Sequence, residues 1–316
     1  MPTTRAPRVE RSHAPLVSAV PSGVRLDALL LAVALTTVSF SGPLIAATAA
    51  PALAIAFWRN ALAVAALAPV VALRGRLRAE LAAIGRRTLL LSLGSGLALA
   101  AHFGLWLPSL HLTSVASSVA LVTTTPIWTT LLLRVLGRRP PAAVWLGSAV
   151  AFAGVLVLTG VDLSVSSEAL AGDALALGGG IAAAGYVLIG AEVRRTTSTT
   201  TYTFLCYGTT AAVLLVVCLV AGASLGGGYS GETWLKLVAL TATAQFLGHS
   251  LINRVVRGLG PSITSTALLL ETPGAALIAA VWLGQLPEAA AYPALGLILS
   301  GLALVIRAER GGQEDT

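Results

Sequence analysis

Charged residues are scarce in this chain. They make up 10 % of its 316 residues, whereas a soluble protein carries about 25 %. Aromatic residues are also few, at 5 %, while glycine and alanine abound, which is typical of helices that pack closely in lipid. Because more than half of the residues are apolar and the few charges are clustered, most of the chain is expected to contact something other than water.

Reactive motifs are lacking as well. Cys206 and Cys218 lie in one predicted helix, about 18 Å apart at helical rise, and cannot form a disulfide within it. The patterns GxxxxGK[ST], HExxH and CxxC do not occur. We therefore expect no cofactor, no metal site and no catalytic residues. The net charge of +7 does not indicate nucleic acid as a partner, because the basic residues lie between apolar runs.

Ten apolar runs are each long enough to cross about 30 Å of hydrocarbon as a helix. The predicted spans are 27–46, 51–73, 88–108, 113–135, 141–160, 170–191, 201–222, 234–254, 261–284 and 289–306. The fold class is thus an all-α integral membrane protein. Residues 1–26 are interpreted as a disordered cytoplasmic arm and 307–316 as a cytoplasmic tail.

Basic residues alternate between the loops. With the N-terminus in the cytoplasm, all but two of the 20 basic residues fall in inner segments, and the exceptions are Arg59 and Lys236. The outer loops carry Asp162, Glu168, Glu232 and Glu288. Because basic residues on short loops set orientation, both termini are predicted to be cytoplasmic and the number of spans to be even.

The two halves of the chain resemble each other. A shift of 147 residues superposes His102 on His249, Pro126 on Pro273, Gly137 on Gly284, Pro140 on Pro287 and Gly154 on Gly301. The halves 27–160 and 161–306 would then hold five spans each. Since five is odd, the second half enters from the opposite side, which predicts a 5+5 inverted repeat with a substrate site near the midplane.

Ionisable residues inside spans are costly and are candidates for function. Glu271, in the middle of its span, can carry a coupling proton or bind a substrate amine, or it can be a protonated structural glutamate. Arg59 can bind a substrate carboxylate, pair with an acid or extend towards the outer surface.

Histidine occurs in two spans. In one, a polar stripe at four-residue intervals predicts one helix face that lines a pathway or joins helices, and it consists of Thr241, Gln245, His249 and Asn253. His102 with Trp106 forms the matching pair in the third span, as part of a site or by simple packing.

Proline and hydroxyl residues mark two further spans. Pro126 and Pro273 occupy equivalent places and are candidate hinges, or kinks without gating. Thr124 and Trp128 flank Pro126 and are candidate pocket residues, as is Tyr186 in the sixth span.

Short segments in six places along the chain resemble those of a known protein family. They are Phe57-Trp58-Arg59, His102 to Trp106, Thr113 to Ser118 through Pro126, Gly172-Asp173 with Tyr186, Gly248-His249 with Asn253, and Glu271-Thr272-Pro273. In this order and spacing, the chain resembles a drug/metabolite transporter of the EamA-like branch over residues 27–306. One departure is Gln285, where the family often has an acidic residue.

The resemblance implies a secondary transporter that exports amino acids, metabolites or drugs, driven by proton or solute gradients. We expect proton coupling, a location in the bacterial cytoplasmic membrane and a monomer or homodimer in the bilayer. Two alternatives remain open. One is a sugar or nucleotide-sugar exchanger of the same fold, which several cavity lysines would favour, but Lys236 is the only lysine. The other is a membrane-embedded lipid-modifying enzyme that uses His249, Glu271 and Asn253.

Overall fold

A computed structural model describes residues 22–138, 140–287, 289 and 291–314. Most of the predicted N-terminal arm, including Arg5, Arg8 and Arg11, lies outside these ranges, as do Arg139 and Glu288. Residues 22–26 of that arm already belong to the first helix, which begins at Ser22. Within the described ranges, every regular element is helical.

The first half contains eight helices. They are α1 Ser22–Ser39, α2 Ser41–Ala46, α3 Ala52–Leu73, α4 Gly75–Ala82, α5 Arg86–Ser109, α6 Val115–Val122, α7 Thr125–Val135 and α8 Ala142–Val165. The second half contains α9 Ser167–Arg194, α10 Thr199–Val220, α11 Gly231–Leu240, a π-helix Thr241–Ser250, α12 Leu251–Ala267, a 3₁₀ turn Leu268–Leu270, α13 Glu271–Leu283 and α14 Ala291–Glu314.

Seven helical stretches of the described chain are long and apolar enough to cross a membrane. They are Leu26–Ala46, Ala52–Leu73, Arg86–Ser109, Val115–Val135, Ser167–Arg194, Thr199–Val220 and Gly231–Pro261. Three shorter apolar helices cover Ala142–Gly154, Glu271–Leu283 and Ala291–Val305. Each of the ten predicted spans overlaps one of these stretches, so a multi-pass membrane protein is confirmed, while the number of crossings stays a prediction.

The outside of the bundle is apolar. Large aliphatic side chains such as Leu29, Val217 and Leu277 are exposed on it. In water this surface would be unfavourable, but against lipid tails it needs no cover. The buried positions instead include many hydroxyl and amide side chains, as expected when the polar groups of a membrane protein turn towards its interior.

Glycines permit a close helix crossing between α8 and α14. A Cβ atom on Gly147 would lie 2.7 Å from the carbonyl oxygen of Gly301, and one on Gly154 would lie 2.7 Å from that of Ala294. The 147-residue shift relates Gly154 to Gly301 and Gly147 to Ala294, so the two contacts are equivalent. Small residues let the backbones approach, which gives dispersion contacts without a hydrophobic drive from lipid.

Matched glycines also end matched helices. Gly137 follows α7 with φ of 84°, and Gly284 follows α13 with φ of 68°. Left-handed glycine lets the following amides turn back onto the last carbonyls, and Arg138 N–H bonds to Leu133 while Gln285 N–H bonds to Ala279. The sequence repeat therefore corresponds to a repeat in local structure.

Glu80 links the short helix α4 to the start of α10. Its carboxylate accepts hydrogen bonds from the backbone N–H of Ser198 at 2.6 Å and the Thr201 hydroxyl at 3.0 Å. Partial burial alone would raise the pKa of Glu80, but these bonds and the charge of Arg76 outweigh it and hold the pKa below its ordinary value. The ionised form therefore stabilises the folded protein.

We expect Glu80→Gln to lower the melting temperature at pH 7, because an amide is a weaker acceptor at a helix N-terminus than a carboxylate. A carboxyl group whose pKa is lowered by folding stabilises the folded protein at pH values above its pKa in the unfolded chain, which is near 4.3. This stabilisation is lost as the pH falls through the pKa of the group in the folded protein. Thermal unfolding in detergent should therefore show a difference at pH 7 that shrinks as the pH falls below the ordinary pKa of a glutamate. Glu168→Gln, at an exposed position, is the control; equal effects of both changes would contradict the prediction.

Candidate functional site

Two interrupted helices meet inside the bundle. The chain breaks at Thr123 and Thr124 between α6 and α7, and a 3₁₀ turn precedes α13. Pro126 and Pro273 lie in the first turns of α7 and α13, where a missing N–H costs no helical hydrogen bond. The prolines therefore do not kink continuous helices, as the sequence suggested, but begin new ones.

The two breaks are in contact. The Thr272 hydroxyl lies 2.9 Å from that of Thr123, and Thr123 itself donates to the carbonyl of Val119 at 2.7 Å. Thr272 is thus the donor between the two hydroxyls. Glu271 is the first residue of α13, at the positive end of the helix dipole, and is 7 % exposed. The breaks thereby place a carboxyl group and several hydroxyls in the interior.

The predicted polar stripe begins in a π-helix rather than an α-helix. Residues Thr241–Ser250 form this wider helix, in which residues four apart rotate differently around the axis. The stripe nevertheless faces protein: Thr241, Gln245 and Asn253 are buried, and His249 lines a cavity. Such π segments are frequent at functional sites.

A small central cavity lies between the interrupted helices. Its lining includes Ser41, His102, Trp106, Thr123, Thr125, Tyr186, His249 and Glu271, together with aliphatic residues. The cavity volume is about 40 Å³. Since a water molecule takes up about 30 Å³ of liquid, this space is too small for an amino acid or a drug. The structure therefore has the bundle closed around this point.

The repeat-related histidines face each other across the cavity. The ring centroids of His102 and His249 are 6.2 Å apart, and His249 also lies 6.1 Å from Tyr186. His102 stacks on Trp106 at 5.5 Å. Its Nδ1 donates to the Gly179 carbonyl at 3.0 Å, which leaves Nε2 as the acceptor of the neutral ring. The Nδ1 atom of His249 is buried and has no partner among the described residues.

Arg59 is fully buried behind the cavity. Its Nε donates to Gln245 Oε1 at 2.9 Å, and Gln245 Nε2 donates to Asn60 Oδ1 at 3.0 Å. The guanidinium also lies 4.2 Å from the ring centroid of Phe103. Arg59 attracts Glu271 electrostatically but forms no ion pair with any described residue. In this conformation Arg59 therefore neither extends towards the outer surface nor pairs with an acid, which were two of the interpretations from the sequence.

Tyr186 connects the cavity to the π-helical span. Its hydroxyl accepts a hydrogen bond from Asn253 Nδ2 at 2.6 Å. The Asn253 side chain is thus engaged with Tyr186 rather than with Glu271, which does not favour the arrangement proposed for an enzyme. The hydroxyl oxygen of the nearby Tyr207 lies 3.1 Å from that of Ser250.

Two of the candidate pocket residues do not line the cavity. The indole N–H of Trp128 donates to Thr124 Oγ1 at 3.1 Å, and the Thr124 hydroxyl donates to the Leu121 carbonyl. Thr123 and Thr125 line the cavity instead. Because the helix is broken between α6 and α7, regular helical geometry could not tell which of three adjacent threonines faces inwards.

Several site residues were not among the candidates from sequence. Phe103 lies between the Arg59 guanidinium and His249, whose ring centroid is 5.3 Å from its own. Asn60 accepts a hydrogen bond from Gln245, and Ser41 accepts a long one, of 3.4 Å, from Arg59. Asn60 could have been recognised from the sequence, because it is an amide directly after an arginine within a span. A serine or phenylalanine in a span is too common to indicate a site.

Two other sequence features lie away from the cavity. Gln285 accepts a long 3.4 Å hydrogen bond from the backbone N–H of Val115, at the start of α6, so it occupies a helix-capping position. Residues 222–226 match the pattern GxSxG. They lie in the loop between α10 and α11, whereas a nucleophilic serine of this pattern needs a strand-to-helix turn.

The comparisons with known proteins agree on one architecture. The model of the EamA-like transporter family matches the chain twice, over residues 26–160 and 170–307. A solved crystal structure of another protein aligns with a TM-score of 0.63 and 19 % sequence identity, over 92 % of this chain and 98 % of that one. At this identity the likeness concerns the fold alone. No curated protein matches the chain.

Proposed function

Because this chain belongs to the EamA-like transporter family, we propose that it is a secondary transporter that exports small organic solutes by alternating access, with protons as the coupling ion. Amino acids, metabolites and drugs are the substrate classes to test. The observation that carries the proposal is the closed central cavity, lined by Glu271, His102 and His249 at the point where two interrupted helices begin.

The size of the cavity supports alternating access. At about 40 Å³ it excludes any organic solute, so binding requires the bundle to open on one side. The breaks before α7 and α13 are suitable hinges, because the regular α-helical bonding pattern changes there, at Thr123 and Thr124 and at the 3₁₀ turn Leu268–Leu270. In this proposal Pro126 and Pro273 begin the half-helices that tilt, and the Thr123–Thr272 contact separates when they do.

The repeat supports a symmetric arrangement. We assign ten spans, with 27–160 and 161–306 as two five-helix units of opposite orientation. His102 and His249, which the repeat relates, approach each other to 6.2 Å, as expected on either side of a pseudo-twofold axis. The basic loops support the proposal that both termini are cytoplasmic, with 1–26 and 307–316 as the ends of the chain there, and we propose a bacterial cytoplasmic membrane as the location. A single chain encloses the cavity, so a monomer suffices, although a homodimer is compatible.

Roles follow from position. Glu271 carries the coupling proton, because it combines a carboxyl group with a place in the cavity wall. His249, His102, Trp106 and Tyr186 contact the substrate, while Gln245 and Asn253 hold the π-helical span in place. Arg59 has one unpartnered nitrogen, Nη2, which can bind a substrate carboxylate once the cavity opens.

The proposal is tested by reconstitution into liposomes with an imposed proton gradient. We expect gradient-driven flux of at least one solute from a panel of amino acids and cationic drugs, and none after the gradient is dissipated with an ionophore. Solute counterflow that does not change with the gradient would instead support an exchanger. Folded protein without flux of any solute under either condition would refute transport of these classes.

A further inference from the structure

A second hollow lies at one end of the bundle, away from the central cavity. It is open to the surface and has a volume of about 520 Å³. The end of α9, the start of α10 and the middle of α12 surround it, with one residue from α1. Its lining residues are Asp27, Arg194, Ser198, Thr199, Arg254, Arg257 and Gly258. It shares no residue with the central cavity.

The hollow carries an excess of positive charge. Three guanidinium groups line it against the single carboxylate of Asp27. Asp27 pairs with Arg254 at 3.4 Å, a long contact. Arg194 and Arg257 form no ion pair with any described residue. Like charges this close repel one another, so an anion between them would relieve an unfavourable interaction.

Arg194 is the strongest evidence for a ligand. Unlike an arginine that only sets membrane orientation, it is buried, with 3 % of its surface exposed. Its Nε donates to the Asn253 carbonyl at 3.0 Å, which fixes the guanidinium. Its Nη1 is also buried but has no partner among the described residues. A buried charged donor without an acceptor is costly, and a phosphate oxygen is the kind of acceptor it lacks.

The start of α10 adds further donors. Ser198 and Thr199 line the hollow at the N-terminus of this 22-residue helix. The N–H of Thr201 already bonds to the Ser198 hydroxyl, which leaves those of Thr199 and Thr200 as the donors at the helix start. The dipole of the helix favours negative charge there. The nearby carboxylate of Glu80 is already engaged with Ser198 N–H and the Thr201 hydroxyl, on the side of α4.

From the unpartnered Nη1 of Arg194, the two neighbouring arginines and the helix start, we propose that this hollow binds a phosphate-bearing anion. Guanidinium groups bind phosphate oxygens in a bidentate manner, and three of them around one hollow form a phosphate site rather than a general basic surface. The same chemistry is offered by free phosphate compounds and by the headgroup of an anionic lipid. Bound between α1, α9, α10 and α12, the anion stabilises this end of the bundle.

The test uses the full chain, purified in neutral detergent, and two probes. The first is inorganic phosphate, added at constant ionic strength with chloride as the comparison, with thermal unfolding as the readout. The second is phosphatidylglycerol in phosphatidylcholine bilayers, with lipid retention measured by native mass spectrometry. The variants are Arg194→Gln and Arg257→Gln. Arg195→Gln is the matched control, because this adjacent arginine is 75 % exposed and pairs with Glu192.

At about ten times its dissociation constant, the effective probe should raise the melting temperature of the wild type by about 2–4 °C. Affinity should fall roughly tenfold or more in Arg194→Gln and Arg257→Gln and stay unchanged in Arg195→Gln. A response to phosphate alone identifies a soluble anion, and a response to phosphatidylglycerol alone identifies a lipid headgroup; either supports the site. Because Arg257 is exposed, its variant tests binding even if Arg194→Gln folds poorly. The proposal is overturned if phosphate does not stabilise the wild type and phosphatidylglycerol is not retained by it, or if Arg257→Gln and Arg195→Gln both respond as the wild type does.

Discussion

Glutamine in place of Glu271 is expected to abolish solute flux driven by an imposed proton gradient while the protein stays folded. Glutamine has nearly the same size and can bond to the same neighbours, but it cannot take up or release a proton. Glu271 is the acidic residue in the wall of the central cavity, and its side chain forms no ion pair with any described residue that its loss would break. The measurement is initial flux in proteoliposomes, with the melting temperature as the check on folding.

A second measurement separates coupling from binding. Because glutamine imitates the protonated carboxyl group, exchange of labelled for unlabelled solute in the absence of a gradient should persist in Glu271→Gln. Glu168→Gln, the same change at an exposed position, should retain both activities. Gradient-driven flux with the wild-type pH dependence in Glu271→Gln would show that this carboxylate plays no part in coupling.

Leucine in place of Gly147 is expected to disrupt the packing of α8 on α14. Its Cβ alone would lie 2.7 Å from the carbonyl oxygen of Gly301 and 2.9 Å from the backbone nitrogen of Val305. Neither atom belongs to a flexible side chain, so relief requires the two helices to separate. We expect a loss of about 3 kcal/mol or more, which corresponds to roughly 5 °C in melting temperature for a chain of this size.

Gly94→Leu is the matched control for this change. Gly94 also lies inside a helix, α5, but a Cβ there would meet nothing within 4 Å. Leucine has the higher helix propensity, so this variant should be as stable as the wild type or slightly more stable. Equal melting temperatures for the two variants would contradict the close approach of α8 and α14.

Much of the architecture could be predicted from residue patterns. Apolar runs bounded by arginines place most helical stretches to within a few residues, because hydrocarbon demands continuous helices of about 20 residues. The ninth is an exception, since its apolar helix begins at Glu271, ten residues after the predicted start. The sequence shift that pairs His102 with His249 also anticipates their meeting in space. Buried Arg59 and Glu271 could be selected as candidates because charge within a span is too costly to be incidental.

Other features depend on contacts between distant segments. The π-helix at Thr241–Ser250 has no local sequence signal. The helix break determines that Thr123 and Thr125 face inwards, and packing against α13 determines where that break lies. In the sequence Arg194 is one of many loop arginines. Its burial results from the packing of α9 against α12, where it bonds to the Asn253 carbonyl.

The sequence by itself therefore determined which segments are apolar enough to lie in a membrane, their helical form and their twofold repetition, since these follow from local hydropathy and residue identity. Tertiary structure alone decided where helices break, which side chains share a cavity and which arginine is buried. These depend on contacts between residues far apart in the chain, such as the Thr123–Thr272 contact between the two breaks and the bond from Arg194 to the Asn253 carbonyl.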